Sequence, residues 1–116
     1  MDASKMEIKK GDEGVDPQKT SLMFKALSDE TRVKFVMELM DGEKCACDLM
    51  KALHLTQPAL SHHAQILIAS GLVETKRIGR WTHFALNQQN LAEAQRIMLN
   101  IYKSSRKDPF LSSNCC

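Results

Sequence analysis

The feature that most constrains the fold is a change of periodicity in the second half of the chain. Between residues 57 and 70 the apolar residues recur at helical spacing. After Gly71 the stretch LVETKRIGRWTHFAL is rich in Val, Thr, Trp and Phe and has Gly79 near its centre. This composition is typical of a β-hairpin. Any fold must therefore place a hairpin directly after a helix. The residues of the helical stripe are Leu60, Ala64, Leu67 and Ile68.

A second, shorter helix is predicted immediately upstream, from about Cys45 or Cys47 to Leu53. His54 and Leu55 form a tight turn, Thr56 is a suitable N-cap, and Pro58 suits the first turn of the next helix. Two helices joined by a short turn and followed by a basic hairpin predict a winged helix–turn–helix.

The rest of the chain is predicted to be helical. Of the 116 residues 43% are hydrophobic, enough for one domain with one core. Helices are expected from Pro17 to Leu27, from a Ser28 cap onward, and behind an Asn90 cap. The fold class is mainly α with a small β-hairpin, with a mobile arm at 1–16, the domain at 17–104 and a tail at 105–116. The predicted apolar stripes are Val33, Val36, Met37 and Met40 in one helix and Ala94, Ile97, Met98 and Ile101 in the last.

Composition and motifs exclude several classes of protein. No apolar run approaches the ~18 residues of a membrane span, and the polar N-terminus resembles no signal peptide. A cytoplasmic location without membrane association is expected, where cysteines are free, metal-binding or redox-active. Strands and helices do not alternate as in thioredoxin-like enzymes, and no phosphate loop or catalytic triad order is present. We expect no enzyme.

A DNA-binding surface is predicted on the second helix of the motif and on the hairpin. The exposed helix face is polar and nearly uncharged, which suits a major groove, and the wing is basic. A solvated helix face is the alternative; His63 is expected beside the core. The predicted contacts with double-stranded DNA are Thr56, Gln57, Ser61, His62, Gln65, Lys76, Arg77 and Arg80.

The four cysteines form two pairs, Cys45 with Cys47 and Cys115 with Cys116. Residues i and i+2 of a helix point about 200° apart, so the first pair can meet one ion only if Cys45 lies at or before the helix start. Thiolates select soft ions; zinc prefers four ligands, whereas trivalent arsenic needs three. The alternatives are two small core residues for the first pair and a tail without a role for the second.

The segments ALSDETRVKFVMELM and CACDLMKALHLTQPALSHHAQILIASGLVETKRIGRWTHFAL together resemble the ArsR family of metal-responsive winged-helix repressors. The resemblance covers about residues 17 to 104. It implies a homodimer that represses its own operon and leaves DNA when a toxic ion binds, with an interface built from the first and last helices. The implied interface residues are Leu22, Met23, Leu91, Ile97, Met98 and Ile101.

The resemblance also implies which ion is sensed. The zinc- or nickel-sensing class uses histidines of the last helix, which here has none, and the cadmium- or lead-sensing class uses cysteines of the N-terminal arm, absent from residues 1–44. The arsenic sensors carry CxC at the start of the first motif helix, as at Cys45 and Cys47. Trivalent arsenic or antimony is therefore the expected inducer, with a cadmium/lead or thiol-redox/persulfide response as alternatives.

Two departures from the family pattern bear on these sites. Ala64 and Gln65 stand where a leucine and a basic residue often follow the paired histidines, which affects the fine base contacts. Met50 occupies the position of a third thiol, and Cys115 or Cys116 is expected to supply that thiolate instead.

Overall fold

The computed structural model describes residues 16–104, and within them five helices surround a small antiparallel sheet. The predicted arm, apart from Asp16, and the predicted tail with Cys115 and Cys116 lie outside the described residues. In chain order the elements are α1 (Pro17–Ala26), α2 (Glu30–Glu38), β1 (Lys44–Cys45), α3 (Ala46–Leu53), α4 (Gln57–Ala69), β2 (Val73–Ile78), β3 (Trp81–Leu86) and α5 (Gln88–Ser104).

The helix–turn–helix forms where the sequence predicts it. His54 ends α3 in the left-handed conformation, with φ of 56°, and the Thr56 Oγ1 accepts a hydrogen bond from the Ala59 backbone N–H at 3.3 Å. These two local signals separate α3 from α4 within three residues. The buried residues of α4 are Leu60, Ala64 and Leu67, as predicted, whereas Ile68 is 36% exposed.

The hairpin is also confirmed, and it belongs to a three-stranded sheet of order β1-β3-β2. The wing strands pair from Val73 opposite Leu86 to Ile78 opposite Trp81, and Gly79 turns with φ of 66°. The short strand β1 was not predicted: it pairs Lys44 with Phe84 and Cys45 with His83. Two residues carry too little pattern to indicate a strand, and only the neighbouring β3 makes them one.

Of the stripe predicted for α2, only Val36 packs against the core. Phe35 and Leu39 are buried, whereas Met37 is 58% and Met40 is 70% exposed. The Phe35 ring packs edge-on against Phe84, with 5.6 Å between ring centroids, so the aromatic contact with the sheet decides which face turns inward.

Two predicted helix caps are shifted. Asp29, not Ser28, caps α2 by accepting a hydrogen bond from the Arg32 backbone N–H at 3.1 Å. Asn87, not Asn90, accepts the capping bond of α5, from the Asn90 backbone N–H at 2.9 Å. The Asn90 side chain instead donates to the Gly71 carbonyl at 2.8 Å and ties α5 to the corner between α4 and β2. Gly71 has φ of +88°, and a Cβ there would stand 2.8 Å from that side chain, so this corner requires glycine.

The core lies between α1 to α4 and the inner face of the sheet. Leu49, Leu67 and Leu72 are fully buried there. The last helix, α5, is different: along Gln88–Ser104 no residue is buried. Only Leu91 and Ala94 of α5 pack on the core, and a Lys19–Glu93 ion pair of 3.2 Å joins α5 to α1. Within residues 16–104 no helix is long and apolar enough to cross a bilayer.

Candidate DNA-binding and thiol sites

The outward face of α4 carries the residues predicted to read DNA. Leu60, Ala64 and Leu67 face the core, which leaves the opposite side of the helix to solvent. Thr56 is exposed, but its hydroxyl oxygen accepts the capping hydrogen bond of the helix and so has a structural role in addition to any contact with DNA. The face is a row of short polar side chains. The exposed predicted residues are Thr56, Gln57, Ser61, His62 and Gln65.

The wing presents its predicted cations to solvent. Lys76, Arg77 and Arg80 are exposed, and Arg77 Nη1 lies 3.5 Å from the Thr82 hydroxyl across the hairpin. Ile78 and Trp81 form an opposed pair at the tip and are 42% and 51% exposed. The sequence placed both residues in the hairpin, and their exposure beside the arginines was not predicted.

His63 occupies the side of α4 next to the core, as expected. Its Nδ1 lies 3.3 Å from Nη1 of Arg32, a residue of α2 that sequence reasoning missed. Burial lowers the pKa of His63, the Arg32 and His62 charges lower it further, and the Asp29 carboxylate opposes them. His63 is therefore held neutral beside an arginine.

Cys45 and Cys47 stand on either side of the start of α3. Cys45 is the last residue of β1 and the N-cap of α3, with φ of −82° and ψ of 160°, and its thiol makes no capping hydrogen bond. Cys47 is the second residue of the helix and is exposed, while Cys45 is half-buried. The sequence required Cys45 to lie at or before the helix start if both thiols were to meet one ion, and Cys45 is the N-cap of α3.

His83 lies next to Cys45 on the same face of the sheet, because directly opposed residues of antiparallel strands point the same way. The Nδ1 of His83 is 3.1 Å from a carboxylate oxygen of Glu43, a contact that is an ion pair when the imidazole is protonated. Both residues line a shallow pocket with a volume of about 170 Å³. Sequence reasoning missed His83 because β1 was not predicted.

The described part of the chain supplies two thiols and no complete metal site. Among residues 16–104, no group of three His, Cys, Asp or Glu side chains is arranged to hold a metal ion. Met50, at the family position of a third thiol, packs against the core. The other two predicted ligands, Cys115 and Cys116, lie outside the described residues, so the predicted four-cysteine set remains a prediction.

The predicted dimer residues fall into three groups. Leu22, Met98 and Ile101 are exposed by 46%, 52% and 56%. Leu91 and Ile97 are half-buried. Met23 is fully buried in the core of the single chain, so a partner would contact its neighbours and not Met23 itself. Periodicity could not separate Leu22 from Met23, because neighbouring residues on a helix share a broad face.

Comparison with known proteins agrees with this geometry. Residues 29–75, which include both helices of the motif, match the model of the bacterial regulatory protein, arsR family. The arsenical resistance operon repressor of Staphylococcus aureus is 37% identical over 87 residues, which cover 75% of this chain and 83% of that protein. The chain belongs to the ArsR family.

Other relatives carry two kinds of name. The ArsR-family chain is 42% identical over 77 residues to the arsenical resistance operon repressor of Escherichia coli, a match that spans 66% of each protein. It is 30% identical over 79 residues to a cadmium resistance transcriptional regulatory protein, CadC homolog, of Staphylococcus aureus, spanning 67% of this chain and 65% of that protein. The prediction of a regulator, not an enzyme, is confirmed at the level of the family.

Solved structures confirm the winged helix–turn–helix. An ArsR-like transcriptional regulator from Rhodococcus sp. RHA1 is 30% identical, with a TM-score of 0.67 over 74% of this chain and 81% of that chain. A homodimeric winged helix–turn–helix DNA-binding domain from Mycobacterium bovis, 19% identical, has a TM-score of 0.62 over 76% of this chain and 81% of that one, and shares the fold.

Proposed function

We propose that this ArsR-family chain is a cytoplasmic repressor that binds operator DNA as a homodimer and is released by trivalent arsenic or antimony. The observation that carries the proposal is the position of Cys45 and Cys47 at the start of α3, the helix that precedes the recognition helix α4. Names of relatives that include arsenical resistance operon repressors support the same inducer.

The DNA-binding part of the proposal rests on the exposed face of α4. Gln57, Ser61, His62 and Gln65 are all exposed and carry hydrogen-bonding groups, and a helix of this size fits a major groove. Lys76, Arg77 and Arg80 of the wing would neutralise phosphates next to that groove. These three cations, together with the exposed residues named on and before α4, make up the proposed set of DNA contacts.

Release is proposed to follow from the geometry of α3. Cys45 is extended and Cys47 is helical, and an ion held by both thiolates would pull them to one side of the helix start. The first turn of α3 would then move, and α3 packs on α4 across the three-residue turn from His54 to Thr56. A coupling of ~1–3 kcal/mol between ion and DNA is typical of such systems.

A third thiolate is proposed to come from Cys115 or Cys116. Trivalent arsenic takes three ligands, and the described residues offer two thiols at this place. The stretch from Ser104 to the chain end can span up to roughly 40 Å when extended, at about 3.3 Å per residue. The proposal uses this length to bring a tail cysteine to Cys45 and Cys47, either within the chain or from a partner subunit.

Dimer formation is proposed through α1 and α5. Leu22, Met98 and Ile101 expose apolar surface on these two helices, and larger exposed apolar patches commonly mark protein interfaces. The similar fold from Mycobacterium bovis is described as homodimeric. A dimer would also present two copies of α4 to two half-sites of an operator.

The test measures binding of a fluorescent operator duplex with and without arsenite. Wild type should bind DNA and release it with arsenite, whereas Cys45→Ser and Cys47→Ser should bind equally well and ignore arsenite. A chain truncated after Asn114 should respond only at much higher arsenite if the tail supplies the third thiolate. A double serine variant that still releases DNA would place the sensor elsewhere, and an equal response after truncation would exclude the tail.

A cadmium-responsive repressor is the second candidate. It is favoured by the CadC homolog among the relatives and by His83 beside Cys45, since imidazole nitrogen and thiolate are common ligands of divalent ions. Parallel titration with arsenite, cadmium and hydrogen peroxide separates this candidate, the arsenic sensor and a thiol-redox sensor. In the cadmium case His83→Ala should weaken the response, whereas an arsenic site made only of thiolates should not change.

A further inference from the structure

The Arg32 side chain joins three helices at the back of the recognition helix. Its Nε donates to the carbonyl oxygen of Ala26 at the end of α1 at 2.7 Å, and its Nη1 lies 3.3 Å from Nδ1 of His63 on α4. The backbone N–H of Arg32 donates to the Asp29 cap of α2. One part-buried guanidinium therefore holds the orientation of α4 against α1 and α2.

The chemistry of the contact specifies the state of His63. A guanidinium has donors and no acceptor, so Nδ1 must accept the hydrogen bond and the imidazole must be neutral with its proton on Nε2. Protonation at Nδ1 would place two N–H groups against each other, and the contact would be lost. Arg32 and a charged His63 are therefore incompatible at this distance.

The charged groups around His63 are few. From α2 it faces Asp29 and Arg32, and from α4 itself it faces His62, whose ring centroid is 5.4 Å away. From α1 the nearby polar group is the Ala26 carbonyl, which accepts the hydrogen bond from Arg32. Lys25, a charged residue of α1, lines a surface cleft together with Arg32. Burial lowers the pKa of His63, the Asp29 carboxylate opposes this effect, and the electrostatic effects of Arg32 and His62 lower the pKa further.

The two adjacent histidines therefore have different surroundings. Neighbouring residues of a helix point about 100° apart, so His62 is exposed on the proposed DNA face while His63 is turned toward α2. We propose that His63 is a positioning residue, and that its hydrogen bond with Arg32 sets the orientation of α4 and thereby the affinity for operator DNA. The inference rests on the proposed DNA-binding function.

The first experiment compares full-length variants by operator binding near neutral pH. His63→Leu removes the acceptor at similar volume and should weaken binding roughly fivefold, in the range of one lost hydrogen bond. His63→Asn presents an amide oxygen near the position of Nδ1 and should bind within about twofold of wild type. Thermal unfolding of each variant, measured alongside, shows that the chains compared are folded.

The second experiment follows the same binding from about pH 7.5 down to about pH 5. Because His62 remains in both proteins, the ratio of wild-type to His63→Asn affinity isolates His63. That ratio should fall as the pH passes through the pKa of His63, which lies below its ordinary value of about 6.5, since wild type then loses its acceptor and the asparagine does not. His54→Asn is the matched control: His54 is an exposed histidine with φ of 56°, a conformation that asparagine adopts readily, and its ratio should stay flat.

The outcomes separate the inference from the function on which it rests. A His63→Leu variant that is folded and binds like wild type, or a His63→Asn variant as weak as His63→Leu, overturns the positioning role. A ratio that rises as the pH falls also overturns it, because His63 would then act as a cationic DNA contact. Failure of wild type to bind the duplex even at low salt overturns the proposed DNA-binding function instead.

Discussion

The reading unit, residues 46–86, buries several large aliphatic side chains within one chain, whereas the outer helices α1 and α5 leave several of theirs exposed, although Met23 and Ala26 of α1 are buried. The reading unit buries Leu49, Leu67 and Leu72 completely within one chain. In contrast, α5 has seventeen residues and buries none, and Met98 is 52% exposed. Helices of both regions carry apolar stripes of helical period, so the sequence alone does not show which stripe is buried within one chain.

The difference indicates which part of the molecule is complete in a single chain. The core that α3, α4 and the wing share with α1 and α2 holds the recognition helix in place within a single chain, which a rigid DNA-reading surface needs. The outer helices leave apolar surface in water, and each Å² of it covered by a partner would contribute about 25 cal/mol. A second copy of the chain is the proposed cover.

The largest effect is expected from a cavity in the reading unit. Leu67→Ala should lower the free energy of unfolding by about 2–5 kcal/mol, because Leu67 is fully buried between α4 and the rest of the core. Urea unfolding followed by circular dichroism measures it. The matched control is Ile68→Ala, one residue further along α4 and 36% exposed, which should cost less than about 1 kcal/mol. Equal losses would show that the reading unit is not packed as described.

The next effect tests the outer helices. Met98→Asp would place a carboxylate in the proposed interface and should raise the dimer dissociation constant about a hundredfold or more, since an uncompensated buried charge costs several kcal/mol. Sedimentation equilibrium measures the assembly state. Arg96→Asp introduces the same group about 200° around α5, on an exposed residue, and should leave the assembly unchanged. A dimeric Met98→Asp variant would exclude this face as the interface.

The smallest effect is expected at the Asp29 cap of α2, the helix that lies along the chain between α1 and the reading unit. The backbone N–H of Arg32, bonded to the carboxylate, is the main cause that lowers the pKa of Asp29 below 3.8, and burial opposes it. Because the folded pKa is the lower one, the carboxylate stabilises the fold above about pH 3.8, and this contribution is lost as the pH falls through the lowered pKa. Asp29→Asn, which keeps a capping side chain, should reduce the acid sensitivity of unfolding slightly.

Thermal unfolding between pH 5 and pH 2.5 detects this change, with Asp41→Asn as the control because Asp41 is an exposed aspartate in a turn. An Asp29→Asn variant as acid-sensitive as wild type would contradict the assigned role of the cap.

Sequence reasoning predicted the reading unit well because its signals are local. The Thr56 cap, the His54 turn and the Gly79 turn each follow from the conformational preferences of one or two residues. It failed at α2, where the helical period was assigned to a stripe that includes Met37 and Met40 and leaves out Phe35. Only the contact between Phe35 and Phe84, distant along the chain, decided which face is buried.

At the candidate thiol site, too, the local features could be predicted and the contacts between distant residues could not. The pair Cys45 and Cys47, and the need for Cys45 to lie at or before the helix start, could be read from spacing, and Cys45 is the N-cap of α3. The neighbouring His83 could not be predicted, because it depends on a strand of two residues that forms only against β3. The link between Arg32 and His63 was missed for a similar reason, since it joins residues on two different helices.

By itself, the sequence determined the order of the elements, the turns between them, the polar face of α4 and the two thiols at the start of α3. These properties depend on interactions between residues a few positions apart, which periodicity and capping preferences record. The tertiary structure decided which apolar faces are buried, that β1 exists, and which side chains meet His63 and Cys45. Such contacts join residues far apart in the chain, and they form only when all the helices pack on one core.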